Sequence, residues 1–381
     1  WPSPGAGTGQ SWTTGAQTGL LTEVYWFAGY AYSEQDAEDS TSVTLIPHPR
    51  QHGVFVDDAV PAEVDTIAAY GRLGFGMAGH LPCPGENGTV VIYPGGEWQS
   101  EEATPDGDLS GEVVAWGQNQ TGQCDPPEPN NEFIAVAGAC WTSLGLRVDG
   151  SIDAWGYNEY GLCDVPNPNS NFVAITAGTS WHAAGLKSDS SIVAWGSNDL
   201  GQCDVPAPNA DFIAVSAGRD HCLGLKADGS IVAWGDNLYG QCTVPTPNVG
   251  FVAVSAGGVH SLALRSDGSI VAWGANVFGQ CNVPTPNSEF VAIAGGGGHS
   301  LGLKDDSSIS AWGNNYDYQC DVPAPNLGFI AIASGGSDHS LGLRADGSLA
   351  VWGSNEYGEQ DLPDPNAGFL SMAAGCTHIL A

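Results

Sequence analysis

Positive charge is scarce in this chain. Nine Lys and Arg stand against 42 Asp and Glu, a formal net charge of −33 over 381 residues. Nucleic-acid binding rests on clustered cations that neutralise phosphates, and an anionic membrane surface is engaged the same way, so neither partner is expected. No apolar run reaches the roughly 18 residues of a spanning helix, and no membrane insertion is expected. The Gly-x-x-x-x-Gly-Lys phosphate loop, the His-Glu-x-x-His zinc motif and the Gly-x-Ser-x-Gly elbow are all missing; the glycine run Gly295 to Gly298 precedes no helix pattern and reads as a turn. The chain is therefore expected not to be an enzyme, with no cofactor and no metal. It opens on Trp1-Pro2-Ser3-Pro4 with neither a basic start nor an apolar signal core, as a processed, mature chain would.

What is abundant is β-forming. The chain carries 54 Gly, 24 Pro and 13 Trp, and its apolar content of 42% is ample for a core. A Trp-Gly pair recurs at Trp116, Trp155, Trp195, Trp234, Trp273, Trp312 and Trp352, and a second phrase, "FIAVSAG" and its relatives, starts at Phe133, Phe172, Phe212, Phe251, Phe290, Phe329 and Phe369. Self-similarity at a period near 40 is the mark of a repeat architecture. Each unit reads as three strands separated by Asp-Gly, Asn and Pro punctuation, with the "QCxVP" run as a fourth. The phase is as informative as the count. The first Trp-Gly strand, 111 to 117, lacks Phe-led strands before it, and the last Phe-led strands, 369 to 381, lack a Trp-Gly strand after them. Joining the two halves removes both open edges. The fold expected is all-β: a seven-bladed β-propeller over residues 111–381 with a split closing blade, preceded by a small β-rich N-terminal region.

The phrase "HSLGLKxDGSIVAWGxNxxGQC" resembles the repeat of the regulator of chromosome condensation superfamily. Its short period is similar to that of the bacterial, secreted branch that includes the propeller-type β-lactamase inhibitor proteins. The resemblance covers all seven units and implies a propeller fold and a binding role. It says little about the partner, because one scaffold serves many.

Several residue sets invite a chemical reading. The seven repeat Trp are expected in the wedges between blades, where large aromatics bury most area. His182, His221, His260, His299, His339 and His378 share one position, occupied by Thr142 in the remaining unit. A ring of imidazoles suggests metal, but equivalent atoms on successive blades lie too far apart to share an ion at about 2 Å. The histidines are instead expected to hydrogen-bond backbone in the turn, a reading the resemblance supports. Cys124, Cys163, Cys203, Cys242, Cys281 and Cys320 read as buried free thiols; Cys83 and Cys222 have no evident partner. Cys140 and Cys376 hold matched positions in units that adjoin once the ring closes, and a disulfide between them is the hypothesis, with free thiols the alternative. If formed, it points to an oxidising, extracellular location. Arg147, Lys187, Lys226, Arg265, Lys304 and Arg344 read as solvated strand ends. Asp106, Asp108 and Glu112 are the acidic residues that calcium would use, but EF-hand spacing is absent and an acidic linker is the preferred reading. Asn87 and Asn119 match the glycosylation acceptor pattern, which short sequences often do by chance.

Four segments are expected: a Gly/Ser/Thr-rich extension at 1–20, a β-rich region at 21–104, an acidic linker at 105–110 and the propeller at 111–381. The extension cannot order itself by burial, so an ordered one would be pinned against its own propeller or a second copy. Strands are expected at 20–32, 42–46, 54–56 and 89–93, and the phrases from Val60 and Glu86 echo a degenerate eighth unit.

Binding is the default function of such a scaffold. The turns that follow the Phe-led strands offer Trp141, Trp181 and Arg219. Tyr160, Tyr239, Phe278, Tyr318 and Tyr357 are expected on the opposite face. Two readings stand. One is a secreted structural protein that binds further copies of itself through its N-terminal region and builds a filament or surface assembly. The other is a monomeric extracellular binder of a protein or glycan, with β-lactamase-inhibitor-like binding included.

Overall fold

The computed structural model of the protein describes residues 29–36, 40–47, 54–56, 64–66 and 111–381. They fall in two compact units. The first holds two antiparallel pairs: Gly29–Asp36 with Ser40–Pro47, and Val54–Val56 with Val64–Thr66. The strand expected at 89–93, the extension 1–20, Cys83, Asn87, Asp106, Asp108 and most of the degenerate eighth unit lie outside the described residues.

The second unit is the propeller, seven three-stranded antiparallel sheets. Blade 1 comprises Phe133–Gly138, Thr142–Arg147 and Ile152–Gly156. Blade 2 comprises Phe172–Ala177, His182–Lys187 and Ile192–Gly196; blade 3, Phe212–Ala217, His221–Lys226 and Ile231–Gly235. Blade 4 is Phe251–Ala256, His260–Arg265 and Ile270–Gly274; blade 5, Phe290–Gly295, His299–Lys304 and Ile309–Gly313; blade 6, Phe329–Ser334, His339–Arg344 and Leu349–Gly353. The closing blade takes Ala373–Ala374 and His378–Leu380 from the C-terminus and Ala115–Gly117 from the other end of the unit, with Ile379 opposite Trp116. Val114 and Ala381 exchange backbone hydrogen bonds of 2.8 and 2.9 Å. Cys140 and Cys376 are disulfide-bonded across the seam between the closing blade and blade 1, their Cα atoms 4.2 Å apart.

The "QCxVP" run makes no fourth strand. In every unit it is a turn followed by Pro-rich chain that enters a cis X-Pro bond, from Glu128-Pro129 to Asp364-Pro365. Proline has no N–H for a ladder. An asparagine side chain takes over that work. Asn169 accepts from the Ile152 amide at 2.8 Å and donates to the Ile152 carbonyl at 2.9 Å, and Asn130, Asn209, Asn248, Asn287, Asn326 and Asn366 do the same for Val113, Ile192, Ile231, Ile270, Ile309 and Leu349. Each amide imitates one residue of a neighbouring strand and caps the outer edge of its blade.

The wedges between blades hold the tryptophans, as expected. Trp155, Trp195, Trp234, Trp273, Trp312 and Trp352 are buried. Each indole N–H donates to a backbone carbonyl in the preceding blade's loop: Trp234 to Gln202 at 2.9 Å, and, across the seam, Trp155 to Gln123 at 2.9 Å and Trp116 to Glu359 at 2.8 Å. The same carbonyls accept from a buried serine. Ser261 donates to Gln241, Ser300 to Gln280, Ser340 to Gln319 and Ser143 to Gln123.

The histidines complete this bridge and are fully buried. Sequence reasoning placed their bonds on backbone within their own turn; they reach instead to the next blade. His221, His260, His299 and His378 place Nε2 2.8–3.0 Å from the hydroxyls of Ser261, Ser300, Ser340 and Ser143. Because each serine proton is already spent on a carbonyl, Nε2 carries the imidazole proton and donates it. His182 meets Cys222 in the serine position at 3.3 Å; in the closing blade that position is Ile379, and His339 has no Nε2 partner. Burial pushes all six pKa values down, to about 3 or 4.

Candidate functional site: the loop face of the propeller

Strand parity decides what each face of the ring presents. Within blade 3, His221 pairs with Gly235 and Leu225 with Ile231, so the third strand ends beside the start of the second. The turn before His221 and the loop after Gly235 therefore leave from the same side. The aromatic loops stand on the face of the glycine-rich turns, not opposite them. Sequence reasoning placed Tyr160, Tyr239, Phe278, Tyr318 and Tyr357 on the opposite side of the ring; their loops follow the third strand of each blade, which returns them to the side of the turn before the second. They join Trp141, Trp181 and Arg219 on one loop face.

Side-chain contacts agree. Tyr160 stacks on Trp181 with centroids 4.5 Å apart, Trp141 lies 6.2 Å from Trp181, and Phe278 meets Tyr316 edge-on at 6.1 Å. From blade 3 to blade 5 the loops carry an exposed apolar arc of Leu238 (78%), Tyr239, Val277 (79%), Phe278, Tyr316 (79%) and Tyr318. Tyr316 was not singled out by sequence reasoning; its signal was the departure of "NNYDYQC" from the regular "NxxGQC".

The loops that present this arc are held internally. Asn237 Oδ1 accepts from the Cys242 amide at 2.9 Å, and Gln241 Oε1 accepts from the Tyr239 amide at 2.9 Å. Asn276 and Gln280 do the same for Cys281 and Phe278. Asn119 performs this role too, bonded to Cys124 N and Asp125, so its side chain is committed inside its loop. Pre-ordered loops lose little entropy on binding.

Tyr318 is strained. Its φ is +65°, where Gly122, Gly161, Gly201, Gly240, Gly279 and Gly358 hold the same loop position in the other units. A β-carbon in that region costs on the order of 1 kcal/mol, and such outliers gather at functional sites. Tyr318→Gly is expected to raise stability by about 1 kcal/mol, read as a higher denaturant midpoint at unchanged slope.

One-residue insertions shape the rest of this face. The step from the Phe-led strand to His is one residue longer in blades 2 and 6, and Trp181 and Asp338, just before His182 and His339, adopt φ of +58° and +60°. They account for the two 40-residue spacings in the Trp-Gly series. Around the axis, one position in each turn carries Cys140, Thr179, Arg219, Gly258, Gly297, Gly336 and Cys376. Backbone bonds join many of these turns to their neighbours, Thr179 N to Gly218 O at 3.2 Å and Cys376 N to Ala139 O at 3.2 Å among them. The ring is tight at this end: a Cβ on Gly336 would stand 2.5 Å from Thr179 Cγ2 and 3.0 Å from Cys376 Sγ. Gly258 and Gly297 are packed as closely, a Cβ on each standing 2.4 and 2.3 Å from the carbonyl oxygen of the next turn, and a cavity of about 290 Å³ opens beside Arg219, Phe278, Asn314 and Asp338.

Arg219 is the one cation on this face among the described residues, and it pairs with Asp220 at 3.3 Å. The other six described cations are on the opposite face and are not simply solvated. Lys187 Nζ lies 3.7 Å from the Phe172 ring centroid and donates to the Pro168 and Ser170 carbonyls at 2.9 and 2.6 Å; Arg147 lies over Phe133, bonds two carbonyls and pairs with Asp153 at 2.6 Å. Asp338 Oδ1 accepts from Gln319 Nε2 at 2.7 Å and Asn314 Nδ2 at 3.3 Å, while burial raises its pKa.

Chemistry beyond binding finds little support here. Cys124, Cys163, Cys203, Cys281 and Cys320 are half-buried rather than fully buried, and burial pushes their thiols to about 11, Cys242 to about 12. They remain protonated and poorly nucleophilic at neutral pH. Among the described residues no three or more His, Cys, Asp or Glu side chains are grouped to hold a metal ion.

Similarity to known proteins follows the same architecture. Residues 212–241, 251–280, 290–319 and 329–359 match the regulator of chromosome condensation (RCC1) repeat. No curated protein matches the chain by sequence. Prp20p from Saccharomyces cerevisiae is similar in structure at 18% identity, covering 71% of this chain and 90% of that one with a TM-score of 0.59. Human WBSCR16 is similar at 16% identity over 71% of this chain and 98% of its own, with a TM-score of 0.56. The ectodomain of the Arabidopsis thaliana receptor kinase ACR4 is 26% identical over 63% of this chain and 89% of its own, with a TM-score of 0.51. With four repeats matched in sequence and three further sheets of the same build closing the ring, the chain is a propeller of regulator-of-chromosome-condensation-like repeats.

Proposed function

We propose that the chain is a secreted, non-enzymatic interaction scaffold whose loop face docks on a protein partner. One observation carries this reading: parity brings both sets of turns to one side, where Leu238, Tyr239, Val277, Phe278, Tyr316 and Tyr318 form an exposed arc on internally bonded loops. Contiguous apolar surface of this kind marks interaction sites, and tyrosine is enriched among binding hot spots. Tyr318 holds a strained backbone that glycine would relieve, which suits a position kept for contact. Protein binding also agrees with a similar propeller, Prp20p, which binds Gsp1p and histones. Secretion draws on the Cys140–Cys376 disulfide, which persists in oxidising compartments. Self-assembly through the N-terminal region, residues 1–104, draws on a segment most of which is outside the described residues, whereas the described surface favours a separate partner.

Photo-crosslinking in the source's extracellular fraction, followed by affinity measurement with the captured protein, tests this. Leu238→Ser/Phe278→Ser/Tyr316→Ser is expected to weaken binding by a hundredfold or more, about 3 kcal/mol, while Val249→Ser/Leu327→Ser on the opposite face leaves it within twofold. Binding lost through the opposite face alone, or a capture consisting of the chain itself, overturns the reading.

A further inference from the structure

The cavity beside Phe278 differs from the rest of the loop face in charge and in origin. Its lining includes Gly258, Gly297 and Gly336, which bring no side chain at the position where blades 2 and 3 carry Thr179 and Arg219 and the seam carries the disulfide. The inserted residue of blade 6, Asp338, turns its carboxylate to this space. Two amides fix that carboxylate through Oδ1, and Oδ2 has no protein partner among the described residues. Asp317 lies close enough to Asp338, and Asp236 to Asp220, for their charges to be felt. Of these carboxylates Asp338 lines the cavity, together with Arg219, whose guanidinium is already paired with Asp220. The chain around it carries a net charge of −33. Phe278 supplies an aromatic wall, and a ring face attracts a cation within about 6 Å. A volume of about 290 Å³ is at the small end of ligand sites and suits a single side chain better than a larger ligand.

We propose that this cavity is a socket for one cationic side chain, a lysine or arginine at the tip of a partner's loop, held between the Asp338 carboxylate and the Phe278 ring. The socket rests on the reading of the loop face as a protein-docking surface and adds its specificity: the apolar arc supplies contact area, and the socket selects a basic tip. A partner of positive charge is also the one that the chain's field draws in fastest.

The test is a titration of the 15N-labelled full chain with the capped tripeptides Ac-Gly-Arg-Gly-NH2, Ac-Gly-Lys-Gly-NH2 and Ac-Gly-Gln-Gly-NH2. The Gly297, Gly298 and Asp338 amides are expected to shift saturably with the arginine or lysine peptide, with dissociation constants in the millimolar range, and to stay unmoved with glutamine. Asp338→Asn preserves shape and tolerates the left-handed backbone; it should weaken binding about tenfold, and Phe278→Leu should weaken it several-fold. Raising salt from 0.05 to 0.5 M should weaken it further. Equal shifts with all three peptides, or full affinity in natively folded Asp338→Asn, overturn the socket. That failure is separate from failure of the docking reading: an inert cavity beside a loop face that still binds its partner removes the socket alone.

Discussion

Acidification of the full chain from pH 7 to pH 5 is expected to unfold the propeller in one cooperative step. Six histidines are buried between the blades in the neutral form, five of them bonded to the next blade, with pKa values of about 3 for His182, His299 and His378 and about 4 for His221, His260 and His339. In the unfolded chain each titrates near 6.5. The folded state binds fewer protons, so this stability is present above pH 6.5 and is lost as pH falls toward the folded values. Each group costs up to about 1.4 kcal/mol per pH unit, and six together remove roughly 10 kcal/mol by pH 5. A domain has about 5–15 kcal/mol in all. Hairpin aspartates such as Asp149 and Asp228, whose pKa values are lowered by their Ser151 and Ser230 hydrogen bonds, add to the loss only at lower pH. Burial raises Asp220, Asp338 and Glu359, and their protonation works the other way. Two half-buried aspartates and one buried glutamate do not offset six fully buried imidazoles. Near-UV circular dichroism and Trp emission against pH check this; native spectra at pH 4.5 would contradict it.

Deletion of Phe369–Ala381 is expected to abolish cooperative folding of the remaining propeller. The segment supplies two of the three strands of the closing blade and buries Met372, Ala373, Cys376, Ile379 and Leu380. Three large apolar side chains at about 1.5–3 kcal/mol each, with about 2–4 kcal/mol for the lost disulfide, approach the whole stability of a domain. The deletion also leaves Ala115–Gly117 unpaired and strips packing partners from the flanking faces of blades 1 and 6. Thermal melts of the truncated chain should be broad and proteolysis rapid. A sharp transition near that of the full chain contradicts a role for closure.

The ring was legible because its signals are periodic. Trp116 to Trp352 and Phe133 to Phe369 repeat in step, and their offset at the two ends revealed the split blade. One thing that escaped is the "QCxVP" run. Its valine and length look like a strand, but proline removes the donors and an asparagine side chain does the pairing. Tyr239 and Phe278 escaped separately: their loops leave the third strand before that run, and the alternation of the three strands already returns them to the face of the glycine-rich turns. The histidine partners escaped for another reason: Ser261 and Ser300 follow histidines of their own and look local, yet each serves the histidine one blade earlier. Asp338 left a trace, the 40-residue spacing between Trp312 and Trp352, whose meaning appears only once the turn is seen around the axis.

Closure of the circle gathers the seven sets of turns around one axis, so the decisive measurement is a nuclear Overhauser effect across the seam. Ala115 and Leu380 oppose each other in the closing blade, between the bonded pairs Val114–Ala381 and Trp116–Ile379. Their Hα atoms should give a strong cross-peak in the native protein at neutral pH. An assigned spectrum without that peak, with Leu380 Hα near no residue of 113–117, contradicts the closed seven-bladed ring and the loop face built on it.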